Sequence, residues 1–220
     1  MSQDSHLIVA IDGPAASGKS TVAKCLAREM GLVFVSSGGM YRAFTWWVLD
    51  QGVDPNATDE VIHLLESTEF ECGEENHVGT ISVQGRLLGK EELSVGEVNA
   101  AVSIVAAIPE VRERLVAQQR AYADDYDVVM EGRDIGSVVF VETPHKFYID
   151  ASPEVREQRR RAEGISDSVV ERDRKDSSRK ASPLVIPEDA TVIDSSELSV
   201  EEVVSRVRQS IESGVESSGG

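Results

Sequence analysis

The sequence predicts an α/β fold in which helices flank a mainly parallel β-sheet. Two strand-to-helix units begin the chain: the apolar run 7–11 leads into a glycine-rich loop and a helix, and the run 32–35 leads into a second loop and helix. Further apolar runs of strand length, at 127–131, 145–149 and 190–193, are separated by longer helical segments. This alternation is typical of parallel strands joined by crossover helices.

A different pattern interrupts the alternation after a predicted helix at 59–67. Short apolar segments at 69–72, 80–83 and 86–88 are separated by glycine and asparagine residues. Such spacing is typical of antiparallel strands joined by tight turns. We therefore predict a small antiparallel insertion.

The remaining segments are predicted to be helical. Two helices are expected at about 95–107 and 109–123, and an arginine-rich helical stretch covers 153–180. A last helix at about 199–213 closes the fold, and the serine- and glycine-rich residues after it are expected to be disordered.

Composition excludes several classes of protein. Of 220 residues, 40% are hydrophobic and 28% are charged, and no apolar run approaches the length of a membrane span, roughly 18 residues. The net charge of −17 argues against general nucleic-acid binding. Cys25 and Cys72 are too few for a disulfide framework, and Cys25 is expected to be a small buried residue. With a polar N-terminus that resembles no signal peptide, we expect a cytoplasmic protein.

The loop after the first strand carries the most specific motif. Residues 13–20, Gly-Pro-Ala-Ala-Ser-Gly-Lys-Ser, match the phosphate-binding P-loop pattern G-x-x-x-x-G-K-[ST]. Glycines let the chain curl so that successive N–H groups and a helix N-terminus face a polyphosphate. Lys19 is expected to reach the outer phosphates, Ser20 to ligate Mg²⁺ and Thr21 to contact the innermost phosphate. The residues predicted to bind the nucleoside triphosphate are Gly13, Pro14, Ala15, Ala16, Ser17, Gly18, Lys19, Ser20 and Thr21.

A P-loop alone does not separate a kinase from a GTPase or a motor. The guanine-reading pattern N-K-x-D is absent from the sequence, which argues against a GTPase. Arg42 follows Ser37 at the start of the second predicted helix, a place suited to the phosphate of an acceptor, although a surface arginine is the alternative. Arg133 and Asp134 follow an apolar strand, where open α/β sheets place their ligands.

Arginines are also dense in the helical stretch that follows residue 153. In a helix Arg172, Asp176 and Arg179 share one face, which could close over phosphates and ribose. A solvated, salt-bridged helix explains the spacing equally well. Phosphoryl transfer favours the first interpretation, since its transition state requires positioning and positive charge.

Together, these segments closely resemble bacterial cytidylate kinases. The resemblance extends over about 7–210 and rests on five motifs: Gly13 to Thr21, Ser37 to Arg42, Val98 to Ala107, Glu131 to Phe140 and Arg172 to Asp176. It implies a nucleoside monophosphate kinase fold with a five-stranded parallel core, a lid, and an acceptor-binding region enlarged by the β insertion. The expected single domain, 1–220, has a core at about 6–58, 91–152 and 182–213, an insertion at about 59–90, a short helical lid at about 153–181 and a tail at 214–220.

The resemblance also implies site residues and a reaction, ATP with CMP or dCMP giving ADP with CDP or dCDP. It assigns Ser103, Arg112 and Asp134 to the cytosine edge. It assigns Ser37, Arg42 and Arg133 to the CMP phosphate, and Arg172, Asp176 and Arg179 to ribose and phosphate. Arg159 is assigned to ATP, and the catalytic set is Lys19, Arg133, Arg172 and Arg179. Glu131 stands where the family often has Asp.

Two alternatives stay open from the sequence. A related P-loop kinase could act on UMP, AMP or another small acceptor, and a nucleotide-binding regulator could sense ATP without transferring it. The expected ligands are ATP, Mg²⁺ and CMP or dCMP, and we expect a monomer with neither nucleic acid nor membrane as a partner.

Overall fold

The computed structural model of the chain describes residues 6–162, 173 and 184–217. The described strands are β1 (Ile8–Asp12), β2 (Val33–Ser36), β3 (Phe70–Glu75), β4 (Val78–Val83), β5 (Arg86–Leu87), β6 (Val128–Gly132), β7 (His145–Asp150) and β8 (Thr191–Asp194). The described helices are α1 (Lys19–Met30), α2 (Ser37–Asp50), α3 (Thr58–Glu66), α4 (Lys90–Leu93), α5 (Gly96–Val105), α6 (Pro109–Asp125), α7 (Pro153–Ala162) and α8 (Val200–Ser217), with a π-helical turn at Ile135–Val139.

One sheet runs through the described residues, in the order β3-β4-β2-β6-β1-β7-β8, with β5 paired to β4. All pairings from β2 to β8 along this path are parallel, which confirms the predicted five-stranded core. The register pairs Asp12 with Gly132 and Ser36 with Glu131. The carboxyl ends of β1, β2 and β6 therefore meet at one edge of the sheet, and so do the loops that follow them.

The predicted antiparallel insertion is present, and it is continuous with the core sheet. β3 and β5 both pair antiparallel with β4, and β4 pairs parallel with β2 through Phe34 and Val78. A Cβ on Gly79 would lie 2.8 Å from Val35 and 3.0 Å from Tyr122, so this glycine permits the close approach of β4. The insertion thus extends the sheet that carries the core.

Two apolar clusters cover the two faces of the sheet. One includes α2 and α6 residues such as Phe44 and Leu115, and the other joins α1 and α8 through residues such as Leu26 and Val207. Cys25 is only partly buried at the margin of the second cluster, which corrects the expectation of a buried residue. It lies on α1 beyond the stripe of fully buried residues that faces the sheet.

Two elements of the structure were not predicted from the sequence. These are the single helical turn α4 and the π-helical turn after β6. Apart from Asp173, the second half of the predicted lid lies outside the described residues, and so do the last residues of the tail. The predicted site residues Arg172, Asp176 and Arg179 are among those that the structure does not describe. None of the helices in the described ranges has the length and apolar character that crossing a bilayer requires.

Candidate active site

The loop between β1 and α1 has a backbone that few residues other than glycine can adopt. Gly13 has a φ of 151° and Gly18 a φ of 90°, and Ala16 is also left-handed at 60°. A Cβ on Gly13 would lie 2.1 Å from the carbonyl oxygen of Ile149. Both the dihedral angle and the space therefore require glycine at position 13. Gly18 precedes Lys19, the first residue of α1, so the loop ends on a helix N-terminus.

Lys19 is buried within this loop and lines the cleft beside it. Its Nζ donates a hydrogen bond to the carbonyl oxygen of Pro14 at 3.0 Å. Ser20 and Thr21 line the same cleft. Six of the nine loop residues predicted to bind phosphates therefore line one cavity, with the start of helix α1 beside it.

A second group of polar residues lies where β2 ends and α2 begins. Ser36 caps α2 by accepting a bond from the Gly39 amide at 3.4 Å, and its Oγ donates to Glu131 Oε1 at 2.6 Å. Ser37, the first residue of α2, is buried. The capped helix start and Glu131 are fixed side by side, as the parallel pairing of β2 and β6 requires.

Arg42 extends from α2 toward the neighbouring helices. It donates to the side-chain oxygen of Asn99 and, at 3.3 Å, to the carbonyl oxygen of Leu93. Asn99 in turn donates to the carbonyl oxygen of Ser94 at 2.8 Å. Asn99 was not singled out from the sequence, although it lies within one of the motifs that carry the family resemblance.

Arg112 and Asp134 form a buried ion pair. They are 4% and 5% exposed, and Arg112 Nη2 donates to Asp134 Oδ2. Arg112 Nη1 also donates to the carbonyl oxygen of Ala106 at 3.2 Å, and its guanidinium lies 5.3 Å from the centre of the Tyr41 ring. Ser103 lines the same cleft as this pair. The three residues assigned to the cytosine edge therefore line one cleft, in which Arg112 and Asp134 are paired and buried and Ser103 is exposed.

Asp12 connects the phosphate-binding loop to the segment that carries Asp134. Its two carboxylate oxygens accept the amide hydrogens of Ile135 at 2.8 Å and Gly136 at 2.7 Å. Burial raises the pKa of Asp12 to about 6, and these backbone bonds offset part of the effect. Arg133 Nη1 adds a second connection, a bond to the carbonyl oxygen of Gly13 at 2.9 Å. The sequence motif begins at Gly13, so it contains no signal for the role of Asp12.

The arginines of α7 occupy different places. Arg160 lines the cleft and is 7% exposed. Arg159, assigned to ATP by the resemblance, lies against the backbone of the loop, where Nη1 donates to the carbonyl oxygen of Ser17 at 3.1 Å. Arg161 is exposed and pairs with Glu157 on its own helix.

Many of these groups line one open cleft, although Gly13, Pro14, Ser17 and Arg159 are not among its lining residues. Its volume is about 1320 Å³, which exceeds the range of about 300–1,000 Å³ typical of a site for one small ligand. The predicted site residues that line it are Ala15, Ala16, Gly18, Lys19, Ser20, Thr21, Ser37, Arg42, Ser103, Arg112, Arg133 and Asp134. The cleft is therefore lined both by the loop between β1 and α1 and by the buried Arg112–Asp134 pair, and its volume is larger than one small ligand requires.

A P-loop that shares a cleft with several arginines, among them Arg42, Arg133 and Arg160, is the arrangement expected of a P-loop phosphotransferase. The cytidylate kinase family model matches residues 9–213, and the chain belongs to that family. It is 42% identical over 227 residues to a cytidylate kinase of Corynebacterium efficiens, with 98% of each chain covered. It is 36% identical over 219 residues to a cytidylate kinase of Oceanobacillus iheyensis, covering 94% of this chain and 95% of that one.

Among solved structures, a sugar kinase from Janibacter sp. HTCC2649 has the same fold. It superposes with a TM-score of 0.50 at 16% identity, over 94% of this chain and 95% of the other. At this identity the likeness concerns the fold alone, a parallel sheet flanked by helices.

Proposed function

We propose that the protein transfers the γ-phosphoryl group of ATP to CMP or dCMP, forming ADP and CDP or dCDP. The observation that carries this proposal is the single cleft that joins the phosphate-binding loop to the buried Arg112–Asp134 pair. Arg133, which lines the same cleft, donates a hydrogen bond to the carbonyl oxygen of Gly13 in the loop. Family membership over 9–213 supports the same reaction.

The donor is proposed to bind at the loop between β1 and α1. Curled backbone N–H groups and the start of α1 would hold the phosphates of ATP, and the Lys19 ammonium would add a point charge. Lys19 now donates to Pro14, so the incoming phosphates would replace or share that carbonyl acceptor. The loop would contact only the phosphates of the donor, so the residues that determine acceptor specificity must lie elsewhere in the cleft.

Mg²⁺ is proposed to bind beside the β- and γ-phosphates, with Ser20 as its protein ligand. Among the described residues no group of three or more Asp, Glu, His and Cys side chains could hold a metal by itself. The residues present fit Mg²⁺, because this ion keeps several waters and is usually bound by one or two protein groups plus substrate phosphates. When bound, it would neutralise charge on the transferring phosphoryl group.

The acceptor base is proposed to be read by Asp134, Arg112 and Ser103. A carboxylate accepts from the amino group of cytosine, and a guanidinium and a hydroxyl donate to its O2 and N3 atoms. Uracil has a carbonyl in place of the amino group, so a carbonyl oxygen would face a carboxylate oxygen of Asp134, and neither of them can donate a hydrogen bond. The deep burial of the pair makes such a mismatch costly.

The acceptor phosphate is proposed to lie between the start of α2 and the end of β6. Ser37, Arg42 and Arg133 would contact it there, and Arg133 would also reach the transferring group. No general base is required, because the acceptor phosphate is already anionic near neutral pH. Lys19, Arg133 and the lid residues Arg172 and Arg179 would stabilise the charge that develops during in-line transfer, and Asp176 would assist in binding the acceptor.

Initial rates with a panel of acceptors test the proposal. We expect CMP and dCMP to exceed UMP and AMP in kcat/KM by at least about 10²-fold, a ratio within reach of a site built on hydrogen bonds. ATP hydrolysis without acceptor is the control for transfer. Equal rates with UMP would reject the cytosine assignment, and ATP binding without turnover of any monophosphate would reject the kinase.

The remaining assignments concern the chain as a whole. We propose a single domain that acts as a monomer in the cytoplasm, and the continuity of the sheet through core and insertion supports the single domain. Two partly buried free cysteines are in keeping with a reducing compartment. The net charge of −17 supports the absence of nucleic acid among the partners.

A further inference from the structure

The carbonyl groups of the phosphate-binding loop form an ordered set of contacts. Those of Gly13 and Pro14 accept from Arg133 and Lys19, at 2.9 and 3.0 Å. Those of the next three residues, Ala15, Ala16 and Ser17, accept from two arginines of α7: Arg156 Nη1 at 3.3 Å, and Arg159 Nη1 at 3.5 and 3.1 Å. Every loop carbonyl from residue 13 to 17 thus faces a cationic side chain.

This arrangement follows from the shape of the loop. A loop that directs successive N–H groups toward one point turns its carbonyl groups the opposite way, and buried carbonyl oxygens require donors. Cations are the strongest available donors, and they also place positive charge behind the loop. The same backbone conformation therefore directs the carbonyl groups outward to the cations and the N–H groups inward to the phosphate site.

Arg159 makes the most extensive of these contacts. Its Nη2 donates to the carbonyl oxygen of Ser195 at 2.8 Å, and its Nη1 donates to Ser195 Oγ at 3.2 Å as well as to the loop. Ser195 Oγ itself donates to the Ser17 carbonyl oxygen at 2.8 Å. Ser195 directly follows β8 and is 4% exposed. Arg159 and Ser195 therefore form a clamp that joins α7 and β8 to the outer side of the loop.

We propose that Arg159 and Ser195 are positioning residues for the triphosphate, which they serve by holding the Ser17 carbonyl outward and so preforming the inward-facing N–H groups. This inference rests on one part of the proposed function, the binding of ATP at the loop, and does not depend on which acceptor is used. Arg159 then acts on ATP through the backbone. A planar guanidinium serves the Ser17 and Ser195 carbonyls together, which an ammonium group at one point does not do.

Preorganisation gives this clamp a measurable effect on ATP. Without it, the loop would be ordered only when ATP binds, and the ordering would reduce affinity. Loss of a charged hydrogen bond to a buried carbonyl is expected to raise the Kd for ATP about tenfold. The KM for CMP is expected to stay within about twofold of the unaltered protein, since the base-reading pair is on another part of the cleft.

The test is a double-mutant cycle on the full chain. Arg159→Ala, Ser195→Ala and the double variant are compared for ATP affinity by calorimetry without acceptor, and for KM with CMP. Ser195→Thr, which keeps the hydroxyl, is expected to retain affinity. Arg159→Lys, which keeps only the charge, is expected to lose it. Arg161→Ala on the exposed side of the same helix is the matched control.

The clamp predicts that the two losses do not add, because both variants release the same carbonyl group. It also predicts faster hydrogen–deuterium exchange of the peptide containing residues 14–19 in the nucleotide-free Arg159→Ala protein. Additive losses with unchanged exchange would overturn the proposal and place Arg159 directly on ATP. Equal rises in the KM values for ATP and CMP, tracking a lower unfolding midpoint, would also overturn it. A chain that binds ATP with the expected coupling but phosphorylates no monophosphate would reject the kinase function alone.

Discussion

Asp12 and Gly136 are joined by a 2.7 Å hydrogen bond from the glycine amide to a carboxylate that is almost completely buried. Ile135 makes the equivalent bond to the other oxygen at 2.8 Å. The residue that leads into the phosphate-binding loop therefore fixes the segment that follows Asp134. One side chain, that of Asp12, therefore links the phosphate-binding loop to the segment that follows Asp134.

This contact predicts a pH dependence of stability. The pKa of Asp12 is raised from its ordinary value of 3.8 to about 6, so the folded protein takes up a proton more readily than the unfolded chain. Its contribution to the free energy of unfolding is fully present below about pH 4 and is lost as pH rises through 6. From the two pKa values, the loss is on the order of 3 kcal/mol.

The measurement compares Asp12→Asn with the unaltered protein by urea unfolding at several pH values. Asparagine does not titrate, so the difference in the free energy of unfolding is expected to change between pH 4 and 7 and to be constant above it. Titratable groups that do not interact with Asp12 cancel in the difference. Parallel pH curves for the two proteins would contradict the raised pKa.

Asp134→Asn is expected to shift acceptor preference toward UMP. An asparagine amide can donate to the O4 atom of uracil, where the carboxylate cannot, so the ratio of kcat/KM values for CMP and UMP should fall by at least about tenfold. The KM for ATP should not change. Asp124→Asn, at an exposed position on α6, is the control. An unchanged ratio would show that Asp134 does not contact the base.

Gly13→Ala is expected to abolish measurable ATP binding and to destabilise the protein. The added Cβ would lie 2.1 Å from the Ile149 carbonyl oxygen, at a φ of 151°. Gly52→Ala is the matched control, because Gly52 also has a positive φ, 69°, but has open space around it. The control should lose only about 1–2 kcal/mol for the left-handed backbone. Similar losses in both variants would show that the contact with Ile149 is relieved elsewhere.

Gly132→Ala is expected to weaken acceptor binding through crowding. A Cβ there would lie 2.5 Å from Ser37 Oγ and 2.7 Å from Ile135, and such overpacking typically costs about 1–3 kcal/mol. We expect the KM for CMP to rise about tenfold or more, with less change in the KM for ATP. Gly96→Ala, which meets open space at the start of α5, should leave both values unchanged. A KM for CMP that also stays unchanged in Gly132→Ala would remove Ser37 from the phosphate site.

Some site residues were identified from a contiguous motif, and others only from the resemblance to a family. Lys19 and Gly13 belong to a contiguous motif whose geometry is local, so the spacing of a few residues was sufficient. Nothing in the sequence around Arg112 or Asp134 indicates that the two side chains pair with each other. Only the family resemblance assigned both of them to the cytosine base of the acceptor. Asn99 and Asp12 were missed, because the partners that define their roles are distant in the chain.

The sequence by itself determined the strand and helix pattern, the antiparallel insertion, the phosphate-binding loop and the family. These properties follow from short-range periodicity, turn residues and contiguous motifs, which are present in the chain before it folds. Only the tertiary structure decided that Asp12 holds Gly136 and that Arg159 and Ser195 meet at the Ser17 carbonyl. Ser17 and Ser195 are 178 residues apart, and the parallel sheet brings them together because it aligns the carboxyl ends of strands from both halves of the chain.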